Sequence, residues 1–320
     1  MSVPVVQGQI LVIRGGAIGD FILTLPVLAA LRRAFPGTRL ELLAYPQVGG
    51  LAMASGLVDG VTSIEGGALA GFFAAEGRLD ARLSNYFSRF AIIVSYLYDP
   101  DLIFQTNVAR CATAQFIAGP HRPENLAGLH ATQALLKPLE RLAIFDADPQ
   151  PRLSLGTACE TPAPVRPVLA VHPGSGSESK NWPESRWAAL LESLVARADL
   201  DLLLAGGEAE GAKLERLAAK VPPERLRVAR HLPLIELARH LAACTAFVGH
   251  DSGITHLAAA LGLPTLVLWG PTAESVWRPQ GAHVRILRHP GGIHLLPAAD
   301  VLAAIGNLLG DTGLSALAGR

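Results

Sequence analysis

One pattern recurs along this chain and restricts its fold more than any other. A short apolar run meets a glycine-containing turn, and an amphipathic stretch starts within or just after that turn. It appears in "LVIRGGAIGDFILTLP" (Leu11 to Pro26), "VLAVHPGSGSESKNWPESRW", "LLLAGGEAEGAKLERLA" and "TAFVGHDSGITHLAAALGLPTLVLWGPT". The short runs suit strands buried on both faces, and the amphipathic stretches have helical periodicity. Such alternation builds βαβ units around a parallel sheet.

In the first half the spacing predicts strands near 9–14, 39–44 and 90–97. Helices are predicted near 20–35, 47–55, 76–89 and 127–141. Five prolines between Pro149 and Pro167 rule out a long helix or a central strand there. The domain boundary is expected in that stretch, giving domains of 1–150 and 151–320. The pattern then restarts, with strands at 167–172, 200–205, 226–228, 245–249 and 264–269, and helices at 183–197, 209–219, 233–242 and 253–261. All 4 Tyr and nine of the 10 Phe precede the proline stretch, and all 4 Trp follow it. The fold class expected is α/β, with two doubly wound parallel sheets. The terminal "DVLAAIGNLLG" is expected to pack back on the first domain.

Composition narrows the function. At 320 residues, 50% hydrophobic, the chain can bury two cores. Its 27 Lys+Arg balance its 27 Asp+Glu, which gives no electrostatic reason for a nucleic-acid partner, so an anionic ligand must be held locally. Cys111, Cys159 and Cys244 lack paired spacing, so neither a disulfide framework nor a zinc site is expected. With no leader-like segment and no apolar run of about 20 residues, a cytoplasmic protein is expected, with peripheral membrane contact left open.

The turns carry the candidate chemistry. Asp251-Ser252-Gly253 opens a helix where unpaired N–H groups and the positive end of the helix dipole favour a phosphate; the plain alternative is that Asp251 only caps the helix. Lys180 follows a Gly/Ser loop after a strand and would supply charge to a diphosphate, unless it is an ordinary surface lysine. The Walker A spacing is absent. Glu208 or Glu210 could accept from ribose hydroxyls or simply favour a helix start. "RGGAIGD" is not a G-x-G-x-x-G fingerprint, and no ribose-binding acid follows the next strand, which disfavours a hydride-transfer enzyme. Asp20 closes that turn, where a carboxylate could accept a proton from an attacking hydroxyl or serve as a helix cap. "DPD" (Asp99 to Asp101) reads as a turn, and His172, His250 and His256 lack ligand spacing, so no metal is expected. One helix is expected to set Leu79, Leu83, Tyr86, Phe87 and Phe90 on one side, opposite Arg78, Arg82 and Arg89. That basic face is either solvated or available to an anionic acceptor or lipid headgroups.

The segments "IRGGAIGDFILTLPVLAALRRAFPG", "HPGSGSESKNWPESRW", "GGEAE" and "GHDSGITHLAAALGLPTLVLWGPT" together resemble glycosyltransferase family 9, the ADP-heptose:lipopolysaccharide heptosyltransferases. The resemblance implies a GT-B fold, with two Rossmann-like domains facing across a cleft. The first would bind the acceptor and the second the sugar nucleotide, with inverting, metal-independent transfer. Residue by residue it implies Asp20 as the base and Lys180 on the phosphates. Ser175, Glu210, Leu232, Asp251, Ser252, Gly253 and His256 would lie around the donor. Gly16, Gly19, Arg78 and Arg82 are the acceptor-side candidates. Ile254-Thr255 and His250 depart from the commoner pattern, and residues 60–140 carry no specific likeness. The implied reaction moves heptose from ADP-heptose, a co-substrate, onto a lipopolysaccharide-core or related anionic glycan, at the cytoplasmic face of the inner membrane. A GT-B epimerase and a non-catalytic sugar-nucleotide-binding module remain alternatives at this stage.

Overall fold

The computed structural model describes residues 8–123, 128–156, 165–207 and 210–310; Cys159, Glu208 and part of the proline-rich stretch lie outside them. The chain divides into two compact units, Met1–Pro149 and Gln150–Arg320.

The first unit contains β1 (Gln9–Arg14), α1 (Ile18–Ala34), β2 (Leu40–Ala44), α2 (Pro46–Ala54), β3 (Gly60–Ser63), α3 (Ala81–Phe87), β4 (Phe90–Ser95), α4 (Ile103–Ala109), β5 (Gln115–Ala118) and α5 (Ala131–Leu136). Its sheet is parallel throughout, in the order β3-β2-β1-β4-β5. The central strands β1 and β2 are buried along nearly their whole length, as parallel strands covered on both faces must be. Leu11, Ile13 and Leu43 share a core with Phe72, Phe87 and Phe104. Phe72 and Phe87 lie 4.9 Å apart between ring centres.

The second unit contains β6 (Val168–His172), α6 (Glu184–Arg197), β7 (Asp201–Gly206), α7 (Gly211–Ala218), β8 (Leu226–Arg230), α8 (Leu234–Ala242), β9 (Ala246–His250), α9 (Gly253–Ala260), β10 (Thr265–Leu268), α10 (Glu274–Trp277), β11 (Val284–Leu287) and α11 (Ala298–Gly310). Its sheet is also parallel, in the order β11-β10-β9-β6-β7-β8. Trp182 and Trp187 are fully buried in its core.

In each sheet the first strand of the unit lies inside, and the chain winds outward first one way and then the other. The winding reverses between β1 and β4 in one sheet and between β6 and β9 in the other. At such a reversal the loops leaving the carboxyl ends of the two strands part, and open α/β sheets bind ligands in the crevice between them.

Two expectations fail. The helix expected over 76–89 is only α3; it starts at Asp80, whose carboxylate accepts from Arg82 N and Leu83 N, so Arg78 lies outside it. The helix expected over 127–141 ends at Leu136 and tightens into a 3₁₀ turn carrying Pro138. The terminal helix α11 places Val301, Ile305, Leu308 and Leu309 in the second unit's core, where it lies on α6. Among the described residues no helix is long and apolar enough to cross a membrane.

Candidate functional site

The second unit's crevice is built from the loops after β6 and β9. Lys180 closes a short 3₁₀ turn, Glu178–Lys180, and its Nζ lies 2.8 Å from Asp251 Oδ2. Thr272 Oγ1 donates to the same oxygen at 2.6 Å. The Asp251 side chain is 7% exposed and that of Lys180 is 27% exposed, so the acid is the buried member of the pair. The helix cap is Ser252 rather than Asp251: Ser252 Oγ accepts from Thr255 N at 3.3 Å at the start of α9, with Gly253 its first residue. Asp251 is thus free of capping duty and orients the lysine.

His250 fixes the two loops to each other. Its Nε2 accepts from Trp182 N at 2.9 Å, and its Nδ1 is 3.2 Å from the Gly174 carbonyl. Since Nε2 accepts, Nδ1 carries the proton and donates. Burial pulls this imidazole down to about 3, and burial pulls His172 at the end of β6 down to about 4. Both rings are therefore neutral near pH 7. Glu210, at the start of α7, accepts from Gly207 N at 2.9 Å through Oε2. It packs so closely on Gly174 that a Cβ there would meet Oε1 at 2.4 Å, so any larger residue there would displace the carboxylate. Ser175 Oγ lies 2.8 Å from the Ser177 carbonyl and 2.9 Å from Asn181 Oδ1.

His256 is buried in α9, and Leu232 follows β8, two strands out from β6. Two further groups escaped the sequence reading. Lys213 on α7 donates to the Pro173 carbonyl at 2.8 Å, and burial lowers its pKa despite Glu178, Glu184 and Glu210 nearby. Its position three residues after Glu210, one turn along α7, was the available signal. Thr272 sat in the quoted "WGPT", but nothing local tied it to Asp251.

The first unit's crevice opens between the loops after β1 and β4. Asp20 is the third residue of α1 and Gly19 the second. Asp20 Oδ2 accepts from Ala17 N at 2.8 Å, half of a capping box, and Oδ1 accepts from Arg14 Nη2 at 2.9 Å. Gly16 has φ +99°, and a Cβ there would lie 2.6 Å from Asp20 Oδ2. The turn therefore needs glycine both for its backbone and for the carboxylate's position. Arg14 is 3% exposed and the Asp20 side chain 32% exposed. The carboxylate is both a helix-start acceptor and a group offered to solvent, and the cation behind it is buried.

The two crevices thus carry ion pairs of opposite polarity. One buries the cation and presents an acid; the other buries the acid and presents a cation. A half-buried carboxylate held at both oxygens can accept a proton, and a half-buried ammonium beside a helix N-terminus can meet an anion.

The remaining candidates are elsewhere. Arg78 and Arg82 are exposed, but they do not form a helix face with Arg89. The Arg89 guanidinium lies 3.9 Å from Glu41 and 4.8 Å from the Tyr86 ring centre. Asp99 accepts from Phe104 N and Gln105 N, making "DPD" a turn that starts α4. Among the described residues, no group of three or more His, Cys, Asp or Glu is placed to hold a metal ion.

This architecture has known counterparts. In fold the chain is similar to the glycosyl transferase family 9 protein of Veillonella parvula DSM 2008, with a TM-score of 0.77, 18% identity, and coverage of 97% of this chain and 99% of that one. In sequence it is 40% identical over 109 residues to lipopolysaccharide heptosyltransferase 1 of Pseudomonas aeruginosa, covering 34% of this chain and 30% of the relative. It is 30% identical over 139 residues to lipopolysaccharide heptosyltransferase 2 of Escherichia coli K12, covering 42% and 40%. The aligned stretches therefore span less than half of either relative. The sequence profile of "Glycosyltransferase family 9 (heptosyltransferase)" matches residues 134–294, just over half of the chain. The chain belongs to glycosyltransferase family 9.

Proposed function

We propose that this protein transfers heptose from ADP-heptose to a hydroxyl of a lipopolysaccharide-core or related glycan, with inversion at the anomeric carbon and without a metal ion. The observation that carries the proposal is the opposite polarity of the two ion pairs, Arg14–Asp20 and Lys180–Asp251. In this reading the diphosphate rests on Lys180 and the amides at Ser252-Gly253, with Ser175 and His256 beside it. Glu210 takes the ribose hydroxyls, and Leu232 meets the base. Asp20 accepts the proton of the acceptor hydroxyl as its oxygen bonds to the anomeric carbon. The bond from that carbon to the diphosphate breaks, and ADP leaves with the electron pair. Lys180 and the α9 N-terminus stabilise the charge that develops on the leaving diphosphate. A glycolipid acceptor would draw the enzyme to the cytoplasmic face of the inner membrane.

The test is incubation of the protein with a panel of nucleotide sugars and purified lipid A-core precursors, with mass spectrometry of the products. The expected result is consumption of ADP-heptose and an acceptor heavier by one heptosyl unit with inverted anomeric configuration. Epimerisation of UDP-N-acetylglucosamine without an acceptor, or nucleotide-sugar binding with neither transfer nor hydrolysis, would contradict it.

A further inference from the structure

The first unit holds a cavity of about 270 Å³ at the carboxyl ends of β4 and β5, lined in part by Ser95, Leu97, Tyr98, Gln105, Phe116 and His121. It adjoins the acid through shared groups. The guanidinium of Arg14, which holds Asp20 Oδ1, also lies 3.4 Å from the His121 carbonyl through Nη1. A Cβ on Gly15 would sit 3.5 Å from Leu97 Cδ2.

We infer that this cavity seats an uncharged pyranose ring of the acceptor, laid against Tyr98, one guanidinium away from the Asp20 carboxylate. The sugar's role as acceptor rests on the glycosyltransferase reading above; the presence of a sugar site does not.

Tyr98 is 67% exposed although it is a large aromatic, and its ring lies 4.5 Å from that of His121 at an interplanar angle of 55°. The C–H face of a pyranose loses little by leaving water for such a ring, while its hydroxyls bond outward to polar partners. Gln105, Ser95 and His121 are polar groups on the same walls. Ligand sites combine apolar walls with a few polar groups in this way, and 270 Å³ is near the small end of their usual range of about 300–1,000 Å³. Charge decides the class of sugar. Among the described residues that line the cavity none is Lys or Arg, and the carboxylate of Asp99 is engaged by the amides of Phe104 and Gln105. A carboxylated or phosphorylated sugar would enter without a lining Lys or Arg to meet it. Arg78 and Arg82, the expected acceptor contacts, do not line the cavity. The walls are also set in advance: the two Asp99 bonds fix the start of α4, and Leu102 holds a left-handed φ of 56°.

Saturation-transfer NMR on the full chain tests this with methyl α-D-mannopyranoside as the uncharged probe and methyl β-D-glucuronide as the anionic one. The mannoside is expected to take saturation at its ring C–H groups from the wild type and from Tyr98→Phe. Tyr98→Ala is expected to bind it about tenfold more weakly. Tyr98 is exposed, so its truncation should leave the fold intact, and unchanged melting temperatures would show that. Equal mannoside binding by Tyr98→Ala, or tighter binding of the glucuronide than of the mannoside, would overturn the inference. The thermal shift caused by ADP is read in parallel and is expected to be the same in all three proteins. Its absence from the wild type would strike the donor reading alone, and the mannoside signals would still decide the cavity.

Discussion

The loop after β1 and the loops after β6 and β9 solve one structural problem in opposite senses. Each lies at the winding reversal of a parallel sheet, and each holds an acid and a base 2.9 or 2.8 Å apart. In the first unit the buried partner is Arg14 at 3% exposure; in the second it is Asp251 at 7%. The lesson is that the fold supplies the crevice and burial selects which charge is presented. A buried ion needs its partner, so the exposed member is held in place at each site. One unit can therefore offer a proton acceptor and the other an anion receptor, although their sheets share the same topology rule.

Substitution of the two exposed members separates these roles most strongly. Asp20→Asn keeps an acceptor oxygen for only one of Arg14 and Ala17 and loses the base, and turnover should fall by about 10² to 10⁴. Near-normal turnover would remove Asp20 from the chemistry. Gly16→Ala should approach that loss, at about 10²-fold, because the new Cβ displaces Asp20 Oδ2. A wild-type rate would mean that the carboxylate's position is immaterial. Lys180→Ala should weaken ADP binding by about ten- to a hundredfold, the usual range for hydrogen bonds to charged groups, as read by calorimetry. An unchanged ADP affinity would assign the diphosphate to another group.

Acid should distinguish the units as whole bodies. The pKa values of His250 and His172 are depressed to about 3 and about 4 from an ordinary 6.5. The unfolded chain therefore binds more protons than the folded one between those values. The stability these rings contribute is complete above pH 6.5 and is lost as pH falls toward 4 and below. All 4 Trp lie in the second unit, so tryptophan fluorescence reports its unfolding selectively. The denaturant midpoint should drop steadily over that range, and a midpoint flat from pH 6.5 to 4 would contradict the burial of these histidines. The smallest effect is expected from Thr272→Val, which removes one of the two bonds to Asp251 Oδ2 and should cost about fivefold in ADP affinity, or roughly 1 kcal/mol. A loss as large as that of Lys180→Ala would mean that Thr272 itself meets the ligand.

The contrast between what the sequence disclosed and what it hid follows the same lines. The strand and helix flanking each reversal were legible because long apolar runs end in glycine turns, as at β1–α1 and β9–α9. Of the four sheet edges only β8 was: β3, β5 and β11 are four residues each, with at most one of them buried, so they lack the continuous apolar run of an inner strand. Asp20, Lys180 and Asp251 were legible as residues at turns, but their partners were not. Arg14 reads as the end of an apolar strand, and Thr272 lies 21 positions from the acid it bonds. Arg78 was assigned to a helix face because local periodicity cannot register that Asp80 starts the helix after it. Which member of each pair is buried is a tertiary property, and it determines the proposed chemistry.

The central claim is tested most directly by measuring heptosyl transfer and ADP affinity on one preparation of Asp20→Asn. The account predicts an ADP dissociation constant within experimental error of the wild type and transfer reduced at least about a hundredfold. Transfer at the wild-type rate, or a parallel loss of ADP binding, would contradict it.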